Sequence, residues 1–279
     1  MNNNFLSPSE IAESTINAGI RKANMTAATQ FMLGILAGAF IAFGSEAANM
    51  ATHTITDTAT AKLIGGLIFP AGLMLVIMAG AELFTGNNLM VVALAERKIT
   101  LTQLLRSWLV VYAGNLAGGV IVAYLVAWSG QWDYTGGMLG GITIKAAAGK
   151  ISLSFVKGVA LGVLCNWLVC LAVWSATGAK DGISKAVCIF FPIWLFVASG
   201  FEHSVANMYY ITAGIIAKCN PSYVMKAIES GATHAGIDAL NWVAMFTRNL
   251  LPVTLGNIIG GAGFVGLVYW CVYVRGKKS

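Results

Sequence analysis

The chain has 279 residues, of which 57% are hydrophobic and only 10% are charged, and its formal net charge is +6. A soluble domain carries about 25% charged residues, so this composition excludes a single large soluble domain, and the hydrophobicity excludes a disordered chain. An integral membrane protein remains. The 32 glycines suit closely packed and interrupted membrane helices.

The order of polar and apolar stretches predicts an all-α integral membrane protein. Residues 1–27 are polar, contain no cleavable apolar core, and are expected to form an amphipathic segment on the cytoplasmic side. A transmembrane domain at 28–274 and a tail at 275–279 follow. The apolar spans lie at about 28–50, 63–96, 101–128, 153–177, 185–217 and 249–274. The second and fifth are too long and interrupted to be straight, so we expect two broken helices among six spans.

Six crossings place both termini on the same side of the membrane. The segments on that side contain ten cations and the opposite segments contain seven, so the positive-inside rule puts the termini in the cytoplasm of a plasma (inner) membrane protein. The ten are Arg21, Lys22, Arg97, Lys98, Arg106, Lys180, Lys185, Arg275, Lys277 and Lys278.

The two halves of the chain repeat each other. GAELFTGN at 80–87 in span 2 matches GFEHSVAN at 200–207 in span 5, with Gly, Glu and Asn at the same spacing. GNLAGG at 114–119 in span 3 matches GNIIGG at 256–261 in span 6. An odd number of spans per half makes the halves inverted. Inverted repeats that each contain a broken helix are typical of transporters.

Ionisable residues at membrane depth are costly and indicate function or a structural requirement. Glu82 and Glu202 occupy equivalent positions, and we expect them to stabilise the breaks by accepting hydrogen bonds from freed backbone N–H groups. His203 is the one histidine within a span, and its ordinary pKa lets it exchange a proton with a permeating acid. Lys150 precedes span 4, where a lysine either snorkels to the interface or attracts anions.

Five segments together resemble the formate/nitrite transporter family: AELFTGNN at 81–88, GNLAGG at 114–119, LCNWLVCLAVW at 164–174, ASGFEHSVANM at 198–208 and PVTLGNIIGG at 252–261. The resemblance implies an aquaporin-like fold of six helices in two inverted halves, assembled as a homopentamer. It also implies passage of small monovalent anions or their conjugate acids, together with protons.

The resemblance also assigns the family's functional residues to the matching positions of this sequence. The resemblance implies a central histidine at His203, its partner threonine at Thr85, an anion-attracting lysine at Lys150, and pore asparagines at Asn166 and Asn257. Large apolar side chains close to the breaks can exclude water and act as a constriction. The implied constriction consists of Phe69, Leu73, Leu83, Val169 and Phe196.

Formate is the expected substrate, and nitrite or hydrosulfide is the alternative within the same family. A membrane-embedded enzyme subunit is a further alternative, although it would need paired histidines for haem, a zinc motif or catalytic aspartates within the spans. The five cysteines form no Cys-x-x-Cys pair. We therefore expect no enzyme activity, no cofactor, no metal site and no nucleic-acid partner.

Overall fold

A computed structural model of the protein describes residues 4–277, and these residues form an all-helical structure. The first part contains α1 (Pro8–Ala23), α2 (Ala27–Thr52), α3 (Thr58–Ile68), α4 (Pro70–Ala79), α5 (Phe84–Asn87), α6 (Val91–Ala95) and α7 (Leu101–Trp128). The predictions for residues 1–3 and for Lys278 in the tail fall outside the described residues.

The second part is also helical. It contains α8 (Tyr134–Ile151), α9 (Phe155–Gly178), α10 (Gly182–Ala198), α11 (Ser204–Ala217), α12 (Pro221–Glu229), α13 (His234–Asp238), α14 (Trp242–Ala244), α15 (Leu251–Ile258) and α16 (Val268–Tyr273). Two π-helical stretches, Met245–Leu250 and Ile259–Leu267, join α14 to α15 and α15 to α16.

Five helical runs are long and apolar enough to cross a membrane: Ala27–Thr52, Thr58–Ala79, Leu101–Trp128, Phe155–Gly178 and Trp242–Tyr273. Three shorter apolar helices, Phe84–Ala95, Gly182–Ala198 and Ser204–Ala217, complete the apolar part. The predicted second and fifth spans are therefore interrupted, because each consists of two helical runs separated by a short non-helical segment.

The segment 129–152 differs from the sequence prediction. It was expected to connect two spans, but it contains α8, which packs against α11 and α12. Its glycines explain why the hydropathy pattern missed it. A Cβ at Gly140 would overlap the ring of Tyr223, and one at Gly141 would overlap the backbone of Lys226. Small residues let α8 lie close to its neighbours without a long apolar stretch.

Two helix pairs are in backbone-to-backbone contact. A Cβ at Gly38 in α2 would overlap the backbone of Asn115 in α7, and a Cβ at Gly256 in α15 would overlap the carbonyl of Val159 in α9. Glycine at these positions allows the close approach that small residues give membrane helices. This approach brings the asparagines of α7 and α15 within reach of the helix breaks.

The N-terminal helix α1 packs against the helices that follow the first break. A capping box begins it, in which the Ser7 backbone N–H donates to Glu10 Oε2 at 2.7 Å. Gly19 faces Ala93 of α6, and Ile11 packs with Leu89 and Trp174. The predicted amphipathic segment is thus a helix against the protein, and it ends close to the first break.

Candidate functional site

Both helix breaks start at a glycine in the left-handed region and continue through three non-helical residues. Gly80 has φ 82° and Gly200 has φ 73°, a conformation that side chains disfavour. The residue before the next helix also has nearly the same backbone in both breaks. Leu83 has φ −108° and ψ 125°, and His203 has φ −107° and ψ 114°. The two breaks share one backbone geometry.

Asn115 satisfies the backbone of the first break. Its Nδ2 donates to the carbonyl oxygens of Gly34 at 2.8 Å and Glu82 at 2.9 Å, and its Oδ1 accepts from the Phe84 N–H at 2.9 Å. The Glu82 N–H donates to the Leu33 carbonyl at 3.2 Å. Three backbone polar groups of the break are therefore paired inside the protein, as membrane depth requires.

Asn257 makes the same contacts in the second break. Its Nδ2 donates to the carbonyl oxygens of Gly162 at 2.8 Å and Glu202 at 3.0 Å, and its Oδ1 accepts from the Ser204 N–H at 2.9 Å. The Glu202 N–H donates to the Leu161 carbonyl at 3.3 Å. Asn257 was expected to line a pore, but it is fully buried and its amide is used on backbone groups.

The expected partners of Glu82 were backbone N–H groups, and this expectation was wrong. Its carboxylate accepts from Lys22 Nζ at 2.7 and 2.9 Å and from Asn87 Nδ2 at 2.7 Å. Lys22 was counted among the cations that orient the chain, but it also donates to Asn87 Oδ1 at 2.7 Å. The carboxylate of Glu82 holds α1 against the break, while Asn115 forms the hydrogen bonds to the exposed backbone groups.

Glu202 has the corresponding partners in the second break. Lys150 Nζ lies 3.0 and 3.2 Å from its two carboxylate oxygens, and Asn207 Nδ2 donates to Oε2 at 2.6 Å. The Lys150 carbonyl accepts from Asn249 at 2.9 Å, and its Nζ lies 5.2 Å from the centre of the Tyr210 ring. Lys150 is thus ion-paired at the break and does not snorkel freely.

His203 and Thr85 meet between the two breaks. His203 is 3% exposed and Thr85 is fully buried, and His203 Nε2 lies 2.8 Å from Thr85 Oγ1. The Ala206 N–H donates to His203 Nδ1 at 3.1 Å. A nitrogen that accepts cannot carry a proton, so the neutral ring has its proton on Nε2 and donates it to Thr85 Oγ1. The Thr85 hydroxyl hydrogen can then point elsewhere.

The apolar residues assigned to a constriction lie in one buried cluster around this pair. Phe69 and Phe196 form an edge-to-face contact with ring centres 5.5 Å apart. Leu73, Leu83 and Val169 belong to the same cluster, and each of the five is at most 3% exposed. Water has little access to such a cluster, so an ion that entered it would lose most of its hydration.

Two cavities approach this cluster from different sides. The large cavity, of about 780 Å³, is lined by His203, Phe69 and Phe196. The small cavity, of about 90 Å³, lies beside α1 and is lined by Leu73 and Leu83. Their linings share no residue. The apolar cluster with His203 and Thr85 therefore separates the two cavities.

Lysines outnumber carboxylates in the lining of the large cavity. Lys62, Lys145 and Lys150 line it together with Glu202 and Glu229. Asn166, the second asparagine expected in a pore, lies elsewhere: it is fully buried and its Nδ2 donates to the carbonyls of Thr85 and Asn257. The implied site residues therefore separate into a cavity group and a buried scaffold.

Sequence reasoning missed Lys22 and Asn115, although the repeat contains the signals for both. Each lysine lies at the same distance before a Leu-Gly pair, which is at 33–34 for Lys22 and at 161–162 for Lys150. A Thr or Ser that caps the next helix follows four residues after each lysine. Asn115 stands in the GNLAGG motif at the position that Asn257 has in GNIIGG. Extending the repeat beyond its clearest motifs would have found both.

Comparison with known proteins identifies the family. A model of the formate/nitrite transporter family matches residues 9–271. The chain is 39% identical over 278 residues to the formate channel FocA of Escherichia coli strain K12, which covers 97% of this chain and 95% of that protein. It is 40% identical over 271 residues to the formate channel FocA of Haemophilus influenzae, with 94% and 93% covered.

Two solved structures share the fold. A pentameric formate channel with formate bound has a TM-score of 0.77 at 36% sequence identity, covering 89% of this chain and 98% of that chain. An ion channel of the same family has a TM-score of 0.78 at 31% identity, covering 94% and 98%. The chain therefore belongs to the formate/nitrite transporter family, and it is a multi-pass membrane transport protein and not an enzyme.

Proposed function

We propose that the protein is a channel for small monovalent anions, above all formate, in which His203 exchanges a proton with the permeating species. The observation that carries this proposal is the buried His203–Thr85 pair, which lies between two cavities and within an apolar cluster. The formate channels among its relatives support the substrate.

The architecture we propose is six membrane crossings in two inverted halves with an aquaporin-like arrangement. The equivalent contacts at the two breaks support it. The domains are an N-terminal segment 1–27, a channel domain 28–274 and a tail 275–279, with both termini in the cytoplasm of a plasma (inner) membrane protein. A homopentamer with one pore per subunit is the proposed assembly, supported by the pentameric neighbour.

The proposed path starts in the large cavity, where Lys150 and its neighbours attract the anion. At Phe69 and Phe196 the anion leaves water, and the cost of burying a bare charge raises its affinity for a proton. His203 takes a proton from cavity water as imidazolium and transfers it to a formate oxygen, which gives neutral imidazole and formic acid. The acid crosses the cluster past Leu73, Leu83 and Val169 and releases its proton on the other side.

His203 must alternate between two hydrogen-bonding states in this scheme. The neutral ring accepts from the Ala206 N–H, whereas the imidazolium carries protons on both nitrogens and loses that contact. One hydrogen bond is worth about 0.5–1.5 kcal/mol, so the loss of this contact disfavours the protonated ring. Asn166 and Asn257 support this site from behind, by fixing the backbone at Thr85 and at the second break.

Stopped-flow uptake into proteoliposomes tests the proposal. Formate, nitrite and hydrosulfide are compared side by side over a range of pH, with empty liposomes as the baseline. We expect formate uptake that rises as the pH falls, and a sharp loss in His203→Ala. The matched control is His53→Ala, because His53 lines the same cavity but contacts Met50 and Thr135 away from the cluster.

Two outcomes would overturn separate parts of the proposal. Formate uptake no faster than in empty liposomes removes formate as the substrate, and faster nitrite or hydrosulfide uptake replaces it. Unchanged pH-dependent uptake in His203→Ala removes the proton exchange at His203 and leaves the channel function standing.

A further inference from the structure

The lysines of the large cavity are not equivalent in what their ammonium groups contact. Lys150 Nζ is paired with both oxygens of Glu202. Lys145 Nζ donates to the Ser230 carbonyl oxygen at 2.5 Å. Lys62 Nζ makes no hydrogen bond and no ion pair with any residue among 4–277. Its three N–H donors are therefore available to a molecule that enters the cavity.

Lys62 also lies on the helix that leads to the apolar cluster. It lies on α3 on the same face as Gly65 and Phe69, three and seven residues further along, and all three line the cavity. At the opposite wall its Nζ approaches the second break, since a Cβ added to Gly200 would stand 3.3 Å from it. The ammonium group thus lies near the break that contains His203.

We propose that Lys62 is an anion-binding residue of the large cavity and that it delivers small carboxylates to the cluster at Phe69 and Phe196. This inference rests on the proposed function, and it adds Lys62 to Lys150 in the capture of the anion. Glu202 pairs directly with Lys150, whereas no carboxylate of residues 4–277 lies within 4.0 Å of Lys62 Nζ.

The physical basis is electrostatic capture followed by release. A cation in a cavity with low-dielectric walls raises the local concentration of anions and their rate of entry. A lysine ammonium is a compact point charge on a flexible stem, so it can contact a carboxylate and hand it on without rigid geometry. Such a residue changes how much substrate half-saturates the transport, and it leaves the crossing of the cluster unaltered.

Formate uptake measured against concentration and ionic strength tests this role. In Lys62→Gln we expect the half-saturating formate concentration to rise on the order of 3- to 10-fold, with the maximal rate within about twofold of the unaltered protein and a weaker dependence on salt. Lys62→Glu should have a larger effect in the same direction. Lys62→Arg keeps the charge and should behave like the unaltered protein.

A control variant removes the same charge elsewhere. Lys157→Gln removes an exposed lysine near the start of α9 that does not line the cavity. Equal half-saturation in Lys62→Gln and Lys157→Gln would overturn the proposal. No uptake in the unaltered protein defeats the proposed function instead, so the two failures are distinct.

Discussion

The two helix breaks are stabilised by the same contacts, but they differ in the side chain that precedes the next helix. In each break a glycine turns the chain, an asparagine from a neighbouring helix pairs the backbone, and a lysine neutralises a glutamate. The side chain before the next helix differs, because it is Leu83 in the first break and His203 in the second. The scaffold solves a problem that both breaks share, namely exposed backbone at membrane depth.

The surroundings of the breaks differ as strongly as that one side chain. The lysine of the first break belongs to α1, which covers it and leaves a cavity of about 90 Å³. The lysine of the second break belongs to α8, beside a cavity of about 780 Å³. The equivalent glycine, asparagine, glutamate and lysine therefore stabilise both breaks. The proposed proton chemistry depends on the residues that differ between the breaks.

The largest expected effect tests whether the scaffold is equivalent in both breaks. Asn115→Ala and Asn257→Ala each remove three hydrogen bonds and leave buried backbone groups unpaired, at a cost on the order of 5 kcal/mol each. We expect both variants to lose most of the monodisperse protein in size-exclusion chromatography and to show a much lower Tm in detergent. A normal Tm in one variant alone would contradict the equivalence.

A smaller effect is expected from the ion pairs. Lys22→Met and Lys150→Met each leave a buried carboxylate without its cation, which costs about 3 kcal/mol. The glutamate side chains are 7% and 10% exposed, so water compensates little.

The matched double variants separate the pair from its surroundings. Lys22→Met with Glu82→Gln, and Lys150→Met with Glu202→Gln, remove both charges and should recover much of the lost Tm. If the double variants are no more stable than the single variants, the lysines do not stabilise the fold by neutralising the buried glutamates.

Two substitutions replace the His203–Thr85 pair with the residues found at the equivalent positions of the other break. His203→Leu and Thr85→Val place at each position the residue of the equivalent position, Leu83 and Val205. Each loses the 2.8 Å contact, and His203→Leu also loses the acceptor of the Ala206 N–H, so we expect costs of about 1–2 kcal/mol.

A double-mutant cycle of Tm and formate uptake checks this exchange. The two substitutions should be non-additive in stability, because they remove the same contact, and either should reduce the pH dependence of uptake. Additive losses of stability would mean that the hydroxyl and the imidazole act independently, whatever their distance.

Most of the fold was predictable because hydropathy and repeats are local properties of the chain. The spans and both interruptions follow from apolar runs and from two matched motifs. The helix α8 was missed, because glycines 140 and 141 replace the apolar residues that mark a span, and their value lies in close approach to α12.

The site was predictable where one residue type implies one chemistry, and not where partners come from distant segments. His203 and Thr85 were expected to meet, and they do. The partner of Glu82 was not predictable from its own span, because Lys22 is 60 residues away in a polar helix. Charge alone made Lys22 a topology signal, and its repeat match to Lys150 was the one sequence feature that could have linked it to the break.

The smallest expected effect tests the equivalence at the water-exposed starts of the helices that lead into the two breaks. Asp57 caps α3 and Asp181 caps α10. Hydrogen bonds from the Thr60 hydroxyl and N–H lower the pKa of Asp57 below its usual 3.8, and those from the Ser184 N–H and hydroxyl lower the pKa of Asp181.

A lowered folded-state pKa means that the ionised caps stabilise the fold above the unfolded-state pKa and lose this contribution as the pH falls through the folded-state value. We therefore expect Asp57→Ala and Asp181→Ala to lower Tm slightly at pH 7, with a difference from the unaltered protein that shrinks below about pH 4. Asparagine is as good a helix cap as aspartate, so the Tm of each Asp→Asn variant should stay close to that of the unaltered protein. A Tm difference for Asp57→Ala that is the same at pH 3 and pH 7 would assign the effect to packing, and a pH response in only one variant would limit the equivalence to the buried part of the repeat.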